Sequence, residues 1–171
     1  KQLTGGRKLR FVGIDPSTKT GLLIQDSSGK VIVEEEIKTK VKGDPQRFMD
    51  IAAQVVKFIR PGDKVCIEDF SYGSTGRAVS IQYGIGWLIR ARLINKQIDY
   101  IEVPPTVVKK FATGKGTAKK EHMIMPIFKH WGYEHNSDNV LDAYVLCQIA
   151  RALHTKVNLT KYQQESLQKI S

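Results

Sequence analysis

The stretch LRFVGIDPSTKTGLLIQD, residues 9–26, decides the fold, because two apolar runs flank a short polar connector. Each run has the length and composition of a strand. The DSSGK turn that follows leads into VIVEEEIKT (31–39), so the first three strands are predicted to form a meander. KVCIEDF (64–70) and IDYIEVP (98–104) predict two further strands, the first of them apolar enough to be covered on both faces. The sequence therefore predicts a sheet of five strands.

Apolar residues recur at helical spacing between and after the later strands. In DPQRFMDIAAQVVKFIR (44–60), Asp44 is the expected N-cap and Pro45 the first helical residue. Further helices are predicted at 78–95, 106–112, 117–131 and 138–154, with Pro126 interrupting the helix at 117–131. Strands that alternate with helices place the chain in the α/β class, with a mixed five-stranded sheet flanked by helices.

At 171 residues the chain fits a single domain, which can bury roughly two-thirds of its unfolded surface. The first residues, KQLTGGRK, lack an initiator methionine and an apolar signal core, so we expect residues 1–8 to be a disordered or artificial N-terminal end. We expect residues 9–155 to form the folded domain. Residues 156–171 are predicted to be a C-terminal polar helix or tail, with Thr160 and Gln163 as a capping box.

The composition, with 41% apolar and 26% charged residues, is typical of a globular protein. No run approaches the roughly 20 apolar residues of a membrane span, so we expect no membrane association. Cys66 and Cys147 lie inside apolar runs without metal-ligand spacing, which predicts buried thiols in a reducing compartment. These features indicate a cytoplasmic protein.

The formal net charge is +10, from 27 Lys and Arg against 17 Asp and Glu, and much of the excess is clustered. A charge excess usually means only a solvated surface, but KKFATGKGTAKK (109–120) holds five lysines. Basic stripes of this kind are typical of nucleic-acid binding. The candidate phosphate contacts are Arg77, Lys109, Lys110, Lys115, Lys119 and Lys120.

Four acidic residues are candidates for a metal site: Asp15, Glu68, Asp138 and Asp142. Asp15 and Glu68 lie at apolar strands, where a charge is costly unless it is paired or metal-bound. Asp138 and Asp142 are four residues apart and therefore share a helix face. The alternatives are turn initiation for Asp15, and helix capping or a first-turn position for Asp138. Clustered carboxylates can hold divalent cations, which activate water for phosphodiester hydrolysis.

Two aromatic residues, Phe70 and Tyr72, follow Glu68 and precede a glycine-rich loop. Rings in such a place could stack on an unpaired base near the cleaved phosphate. For Phe70 the alternative is packing in the core.

Four motifs in order resemble the RuvC-type Holliday junction resolvases, the crossover junction endodeoxyribonucleases of the RNase H-like superfamily. GIDPSTKTG (13–21) resembles the family's first acidic strand, IEDF (67–70) its second-strand glutamate, and DAYVL (142–146) its final helix. VPPTVVKKFATGKGTAKKEHM (103–123) resembles its P-x-x-V-K and G-x-G-x-A-x-K signature. The resemblance covers about residues 9–153 and is closer to forms from phages or mobile elements.

The resemblance implies an RNase H-like fold and a DNA endonuclease that resolves four-way junctions by paired symmetric nicks. It implies a homodimer, with the helix at 78–95 at or near the interface, and Mg²⁺ as cofactor, which Mn²⁺ can replace. The implied setting is the cytoplasm of a bacterium or of a phage-infected host cell. The implied metal ligands are Asp15, Glu68, Asp138 and Asp142, and the implied phosphate contacts at the active site are Lys109 and Lys120.

The chain departs from the family pattern at two places. The family's last two acids are three residues apart, whereas Asp138 and Asp142 are four apart, so it stays open whether Asp138 is a metal ligand or a helix cap. The family's aromatic residue follows the glutamate by three positions, whereas Phe70 follows by two and Tyr72 by four. Two other functions remain open: a nuclease for forks, flaps or structured RNA, and a junction-binding protein without nuclease activity.

Overall fold

The computed structural model describes residues 6–170 as a five-stranded sheet with helices on both faces. The strands are β1 (Phe11–Asp15), β2 (Thr20–Gln25), β3 (Val31–Ile37), β4 (Lys64–Glu68) and β5 (Tyr100–Val103). Their order across the sheet is β3-β2-β1-β4-β5. Pairing is antiparallel from β3 to β1 and parallel from β1 to β5, so the predicted mixed sheet is confirmed. Of the predicted N-terminal end, residues 1–5 lie outside the described residues, and residues 6–8 are neither helix nor strand.

Six α-helices and a 3₁₀ turn complete the described chain. The helices are α1 (Gln46–Lys57), α2 (Arg77–Asn95), α3 (Pro105–Thr113), α4 (Ile124–Trp131), α5 (Asp138–His154) and α6 (Lys161–Leu167), and the 3₁₀ turn is Lys120–His122. One face of the sheet is covered by α1 and α2, and the other by α5, with α3, α4 and α6 around it. None of the helices between residues 6 and 170 is both long and apolar enough to cross a membrane.

Alternation along the central strands sorts their side chains between the two faces. Val12 and Ile14 of β1 join Ile67 of β4 in the core under α1 and α2. Phe11 of β1 and Cys66 of β4 belong to the core under α5. By the same alternation, the last residue of each of these two strands lies on the α5 face.

Two helix starts differ from the sequence prediction. Asp44 is not the N-cap of α1: that position is taken by Pro45, which has no side-chain acceptor, and the Asp44 carboxylate instead accepts from Arg47 Nε at 2.8 Å. The helix predicted at 117–131 begins only with α4, after the 3₁₀ turn. Pro126 does not interrupt it, because it lies in the first turn of α4, where a missing N–H breaks no helical hydrogen bond.

The C-terminal segment forms helix α6, which packs against α3. The Thr160 hydroxyl accepts from the Gln163 N–H and the Gln163 side chain accepts from the Thr160 N–H at 3.0 Å, so the predicted capping box is confirmed. Gln163 and Ser166 are buried. Lys110 on α3 pairs with Glu165 on α6 at 3.1 Å, which fastens the two helices together.

Two glycines let α5 approach the sheet closely. A Cβ at Gly13 on β1 would lie 1.9 Å from the carbonyl oxygen of Ala143, and a Cβ at Gly21 on β2 would lie 1.9 Å from that of Asn139. No side chain fits at such distances, so glycine is required at both positions. The backbone of α5 therefore rests directly on β1 and β2, which fixes the height of the helix above the sheet.

Candidate active site

Three carboxylates converge at one end of the sheet. Asp15 is the last residue of β1, Glu68 is the last residue of β4, and Asp142 lies in the second turn of α5. Each offers one oxygen, and these oxygens all lie within 4.8 Å of one another. Asp15 and Asp142 are only 4% and 8% exposed, and Glu68 is partly buried. The structure therefore brings together three of the four acids that the sequence singles out.

The strand pairing explains this convergence. β1 and β4 are parallel neighbours paired as far as Ile14 and Ile67, so the next residue of each strand ends at the same level of the sheet. Both of those residues, Asp15 and Glu68, face α5 by alternation. Because Gly13 lets α5 lie close to β1, the Asp142 carboxylate reaches the same point from above.

Burial dominates the electrostatics of the three carboxylates. Burial, reinforced by the charges of Glu68 and Asp142, raises the pKa of Asp15 well above its ordinary value. Burial and the charge of Asp142 raise the pKa of Glu68 to about 8. Burial also raises the pKa of Asp142, against the opposing effect of Lys120. Burial therefore disfavours the charged form of all three carboxylates, and a bound cation would offset this effect.

Two lysines stand beside the carboxylates. Lys120, from the 3₁₀ turn, places its Nζ 3.6 Å from Asp142 Oδ2. Partial burial lowers the pKa of Lys120, but the surrounding carboxylates, Asp142 first among them, outweigh this and raise the pKa above its ordinary value. Lys109 of α3 lines the same cavity, and its charge opposes the effect of burial on the pKa of Glu68.

The carboxylates and lysines line an open cavity of about 570 Å³. Its other walls come from the β1–β2 connection, the first turns of α2, the start of α3 and the start of α5. A volume of this size is in the range of sites that accept small ligands or a segment of a larger one. The cavity is thus wide enough for a phosphodiester to approach the carboxylate oxygens.

Asp138 lies outside the cluster formed by Asp15, Glu68 and Asp142, which we call the carboxylate cluster. It is the exposed first residue of α5, and the N-cap is Ser137, whose hydroxyl accepts from the Val140 N–H at 3.3 Å. Asn139, three residues before Asp142, lines the cavity instead. Sequence reasoning missed Asn139 because it considered only charged ligands, although spacing by three also places two residues on one helix face.

The two aromatic candidates have different environments. Phe70 is 5% exposed, and its ring centre lies 4.6 Å from that of Tyr83 and 5.1 Å from that of Trp87, both on α2. Tyr72, on the loop between β4 and α2, is 72% exposed. Phe70 is therefore part of a packed aromatic cluster, and this location does not support its prediction as a base-stacking residue. Tyr72 presents an accessible ring.

The lysines predicted to contact DNA also differ in their surroundings. Lys115 and Lys119 are exposed on the segment that leads to the 3₁₀ turn. Lys110 points towards α6, where it pairs with Glu165. The first two therefore extend the positive charge of Lys120 outward, whereas Lys110 already has a partner within the protein.

Arg77 belongs to a second basic surface that sequence reasoning missed. It lines a cavity of about 770 Å³ together with Lys40 and Lys42 of the β3–α1 connection and Arg47 in the first turn of α1. The next residue of α2, Ala78, lines the carboxylate cavity, so the two cavities adjoin. The signal that could have found this surface is the run KTKVK (38–42), with lysine at every second position. We refer to Lys40, Lys42, Arg47 and Arg77 as the basic track.

The family model of crossover junction endodeoxyribonuclease RuvC matches residues 11–147, from the start of β1 into α5. The chain belongs to the RuvC family. The matched segment contains all three clustered carboxylates and both lysines beside them. The resemblance drawn from the four sequence motifs is therefore confirmed, and the RuvC family is one of DNA endonucleases.

Individual relatives agree with the RuvC assignment. The crossover junction endodeoxyribonuclease RuvC of Campylobacter concisus (strain 13826) is 26% identical over 134 residues, which cover 72% of this chain and 83% of the relative. Thermus thermophilus RuvC superposes with a TM-score of 0.66 at 19% identity, and the RuvC of that organism in complex with a Holliday junction substrate with 0.64 at 17%. Each superposition covers 81% of this chain and 90% of the other. The predicted RNase H-like fold of RuvC is confirmed.

Proposed function

We propose that this protein resolves four-way DNA junctions by paired symmetric nicks, through metal-dependent hydrolysis of phosphodiesters. The observation that carries the proposal is the convergence of Asp15, Glu68 and Asp142 within 4.8 Å in a member of the RuvC family. A related structure is that of Thermus RuvC in complex with a Holliday junction, which supports this choice of substrate.

The carboxylate cluster offers the ligands that Mg²⁺ needs, and Mn²⁺ could substitute for it. Both ions prefer oxygen ligands, and carboxylates are their usual protein partners. Burial raises the pKa values of all three carboxylates, and the charges of neighbouring carboxylates add to this at Asp15 and Glu68, so a divalent cation would relieve the repulsion. Such a cation supplies Lewis-acid polarisation of a phosphate oxygen and a more acidic water. Asp15, Glu68 and Asp142 would hold it, and the Asn139 side chain offers a neutral oxygen from the same cavity.

The lysines and the cavity walls position the substrate. Lys109 and Lys120 line the same cavity as the carboxylates, so a phosphate that reaches the carboxylates also reaches two cations. The raised pKa of Lys120 favours its charged form. Its Nζ lies 3.6 Å from Asp142 Oδ2, which places the ammonium group beside the carboxylates. These cations bind the phosphate and stabilise the negative charge that develops on it during hydrolysis.

The basic track extends this phosphate-binding surface away from the cleavage site. Asp44, the acid of that cavity, is already paired with Arg47, so the charges of Lys40, Lys42 and Arg77 act on solvent and ligand. We expect the backbone of one duplex arm to follow this track. The exposed ring of Tyr72, on the loop that leads to α2, supplies a stacking surface for an unpaired base.

Paired nicks need two active sites, which a homodimer supplies. Trp87 and Ile94 of α2 and Met49 of the adjacent α1 are large apolar side chains that remain exposed. Such side chains on neighbouring helices are typical of a protein–protein contact. We therefore expect a homodimer with α2 at or near its interface. Sedimentation of the free protein tests this, and a monomer at micromolar concentration would contradict it.

The setting that we propose is the cytoplasm of a bacterium or of a phage-infected host cell. Cys66 and Cys147 are unpaired and buried, as in proteins that fold in a reducing compartment.

The proposed reaction is tested with a labelled synthetic four-way junction, with and without Mg²⁺. We expect symmetric nicks that leave 5′-phosphates and 3′-hydroxyls, and a preference for the junction over fork, flap and structured RNA competitors. Asp15→Asn should bind the junction without cutting it. An intact junction after wild-type treatment, or equal cleavage by the variant, would refute the proposal. Preferential cleavage of a competitor would favour the other branched substrates, and Mg²⁺-independent binding alone would favour a non-catalytic protein.

A further inference from the structure

Arg90 of α2 is a buried cation close to the carboxylate cluster, and it is only 1% exposed. An arginine in such a place is costly unless its donors are satisfied. Its Nε and Nη2 donate to Glu102 Oε2 at 3.1 and 2.9 Å, and its Nη1 donates to the carbonyl oxygen of Gly86 at 3.0 Å. The guanidinium is therefore fixed between β5 and its own helix.

Three further contacts of Arg90 fall on consecutive residues, the last of β4 and the two that follow it. Its Nη2 lies 3.4 Å from the carbonyl oxygen of Glu68 and 3.8 Å from Asp69 Oδ1. Its Cζ lies 4.3 Å from the centre of the Phe70 ring, a cation–π contact. Glu68 is one of the clustered carboxylates, and the chain leaves the sheet immediately after it. Arg90 thus contacts the chain where β4 ends.

The peptide unit between Glu68 and Asp69 is held on both sides. Its carbonyl oxygen faces Arg90, and its N–H, which belongs to Asp69, donates to the carbonyl oxygen of Val103 at 2.8 Å. A peptide unit fixed at both polar atoms cannot rotate about the chain, and the direction of a strand side chain follows from its backbone. This peptide unit therefore fixes the direction in which the Glu68 side chain leaves the strand.

We propose that Arg90 is a positioning residue for the metal site, holding residues 68–70 so that the Glu68 carboxylate faces Asp15 and Asp142. The role rests on the proposed function, because it assigns Glu68 to metal binding. Arg90 acts through the backbone of Glu68 and through the Phe70 ring. The burial of Phe70 is then explained, since the ring forms one wall of the guanidinium site.

The role requires the shape of arginine and not only its charge. The planar fork reaches Glu102, Gly86 and Glu68 at once while its face lies on the Phe70 ring, whereas lysine offers a single ammonium group. The helix leaves room for this arrangement at Gly86. A Cβ there would lie 2.6 Å from Phe70 Cε1 and 3.0 Å from Arg90 Nη1.

The test compares Arg90→Lys with Arg92→Lys, a matched change at an exposed position of the same helix. Three quantities are measured: Mg²⁺ affinity by calorimetry, amide hydrogen exchange across residues 66–76, and kcat and KM on the four-way junction. We expect Arg90→Lys to lower Mg²⁺ affinity by about 10-fold, as outer-shell partners of metal sites do. Exchange should become faster and kcat should fall with KM for DNA unchanged. Arg92→Lys should match the wild type in Mg²⁺ affinity and in hydrogen exchange.

Glu102→Gln is the second variant, because the partly exposed Glu102 side chain tolerates replacement and the change weakens the hold on Arg90. It should also lower Mg²⁺ affinity, by a smaller factor than Arg90→Lys does. If Arg90→Lys does not fold, the Mg²⁺ affinity of Glu102→Gln tests the proposal. Wild-type Mg²⁺ affinity in the folded variants overturns the proposal. Faster amide hydrogen exchange with unchanged Mg²⁺ affinity also overturns it, because Arg90 then stabilises the fold without positioning the metal site. A wild-type protein that binds no Mg²⁺ overturns the proposed function, and this role with it.

Discussion

The two ends of β1 carry buried charges that are treated in opposite ways. At its start, Arg10 donates to both carboxylate oxygens of Asp63, from Nε at 3.0 Å and from Nη2 at 2.7 Å. At its end, Asp15 meets two further carboxylates, and the three share the exposed Lys120. A buried charge whose counter-ion lies within the protein supports the fold, whereas buried carboxylates with too little positive charge form a site for a cation.

The largest effect should come from removing a charge at the carboxylate end. Glu68→Gln is expected to lower cleavage by more than about 100-fold, beyond the range seen for outer-shell partners of metal sites. Because the change removes a buried charge that has no full counter-ion, the fold should survive. Junction cleavage with Mg²⁺ checks the loss of activity, and thermal melting in a chelating buffer checks that the fold survives. A variant that loses activity only because it unfolds would break the comparison.

The opposite result is expected at the Arg10–Asp63 pair. Asp63→Asn leaves the buried Arg10 without its counter-ion, which costs about 3–5 kcal/mol of stability. For a protein of this size the melting temperature should fall by roughly 10 °C. Below the new melting temperature, Mg²⁺-dependent cleavage per folded molecule should stay near the wild-type rate. A specific loss of cleavage in the folded variant would show that the two ends are not independent.

The pH dependence of stability should separate the two ends further. The pKa of Glu68 is about 8 in the folded protein against an ordinary value of 4.5, so the protonated form is favoured by folding. Its contribution to stability is fully present below about pH 4.5 and is lost as the pH rises through about 8. Urea unfolding without divalent cations should show this decline, Mg²⁺ should offset it, and Glu68→Gln should reduce it. An equal decline in the variant would exclude Glu68 as its source.

A smaller effect distinguishes the two polar residues at the start of α5. Asn139 lines the cavity and Asp138 does not, so Asn139→Ala should reduce cleavage more than Asp138→Asn. The latter removes a favourable charge from the first turn of a helix, which costs about 0.3–1 kcal/mol. Cleavage rates and melting temperatures of the two variants check this order. If Asp138→Asn reduces cleavage more than Asn139→Ala does, Asp138 belongs to the carboxylate cluster in the active complex.

The smallest effect is expected on the basic track. Replacing Lys40 and Lys42 by alanine should weaken junction binding and reduce the salt dependence of the affinity by about one unit of slope for each phosphate that a lysine no longer neutralises. Cleavage at saturating DNA should not change. The matched control replaces Lys156, which lies between α5 and α6, and Lys161, the first residue of α6, with the same change in charge. Equally weakened binding in both double variants would mean that only net charge matters.

Sequence predicted the strands, the main helices and three clustered acids because each leaves a local signal. Alternating or continuous apolar runs fix strands, and a charge inside such a run, as at Glu68, is conspicuous. The Arg10–Asp63 pair joins residues 53 positions apart, and no local pattern connects them. The burial of Phe70 depends on how α2 packs against the end of β4. The rotation of α5 decides that Asn139, and not Asp138, lines the cavity. These follow from tertiary packing, which a local pattern does not contain.

Gly13 and Gly21 make the protein vulnerable at positions that carry no functional group. Any larger residue at either would strike the backbone of α5 and lift the start of that helix, and Asp142 would move with it. In a survey of inactivating substitutions, these two positions should therefore rank with the carboxylates. The chemistry depends as much on two absent side chains as on the three acidic ones that are present.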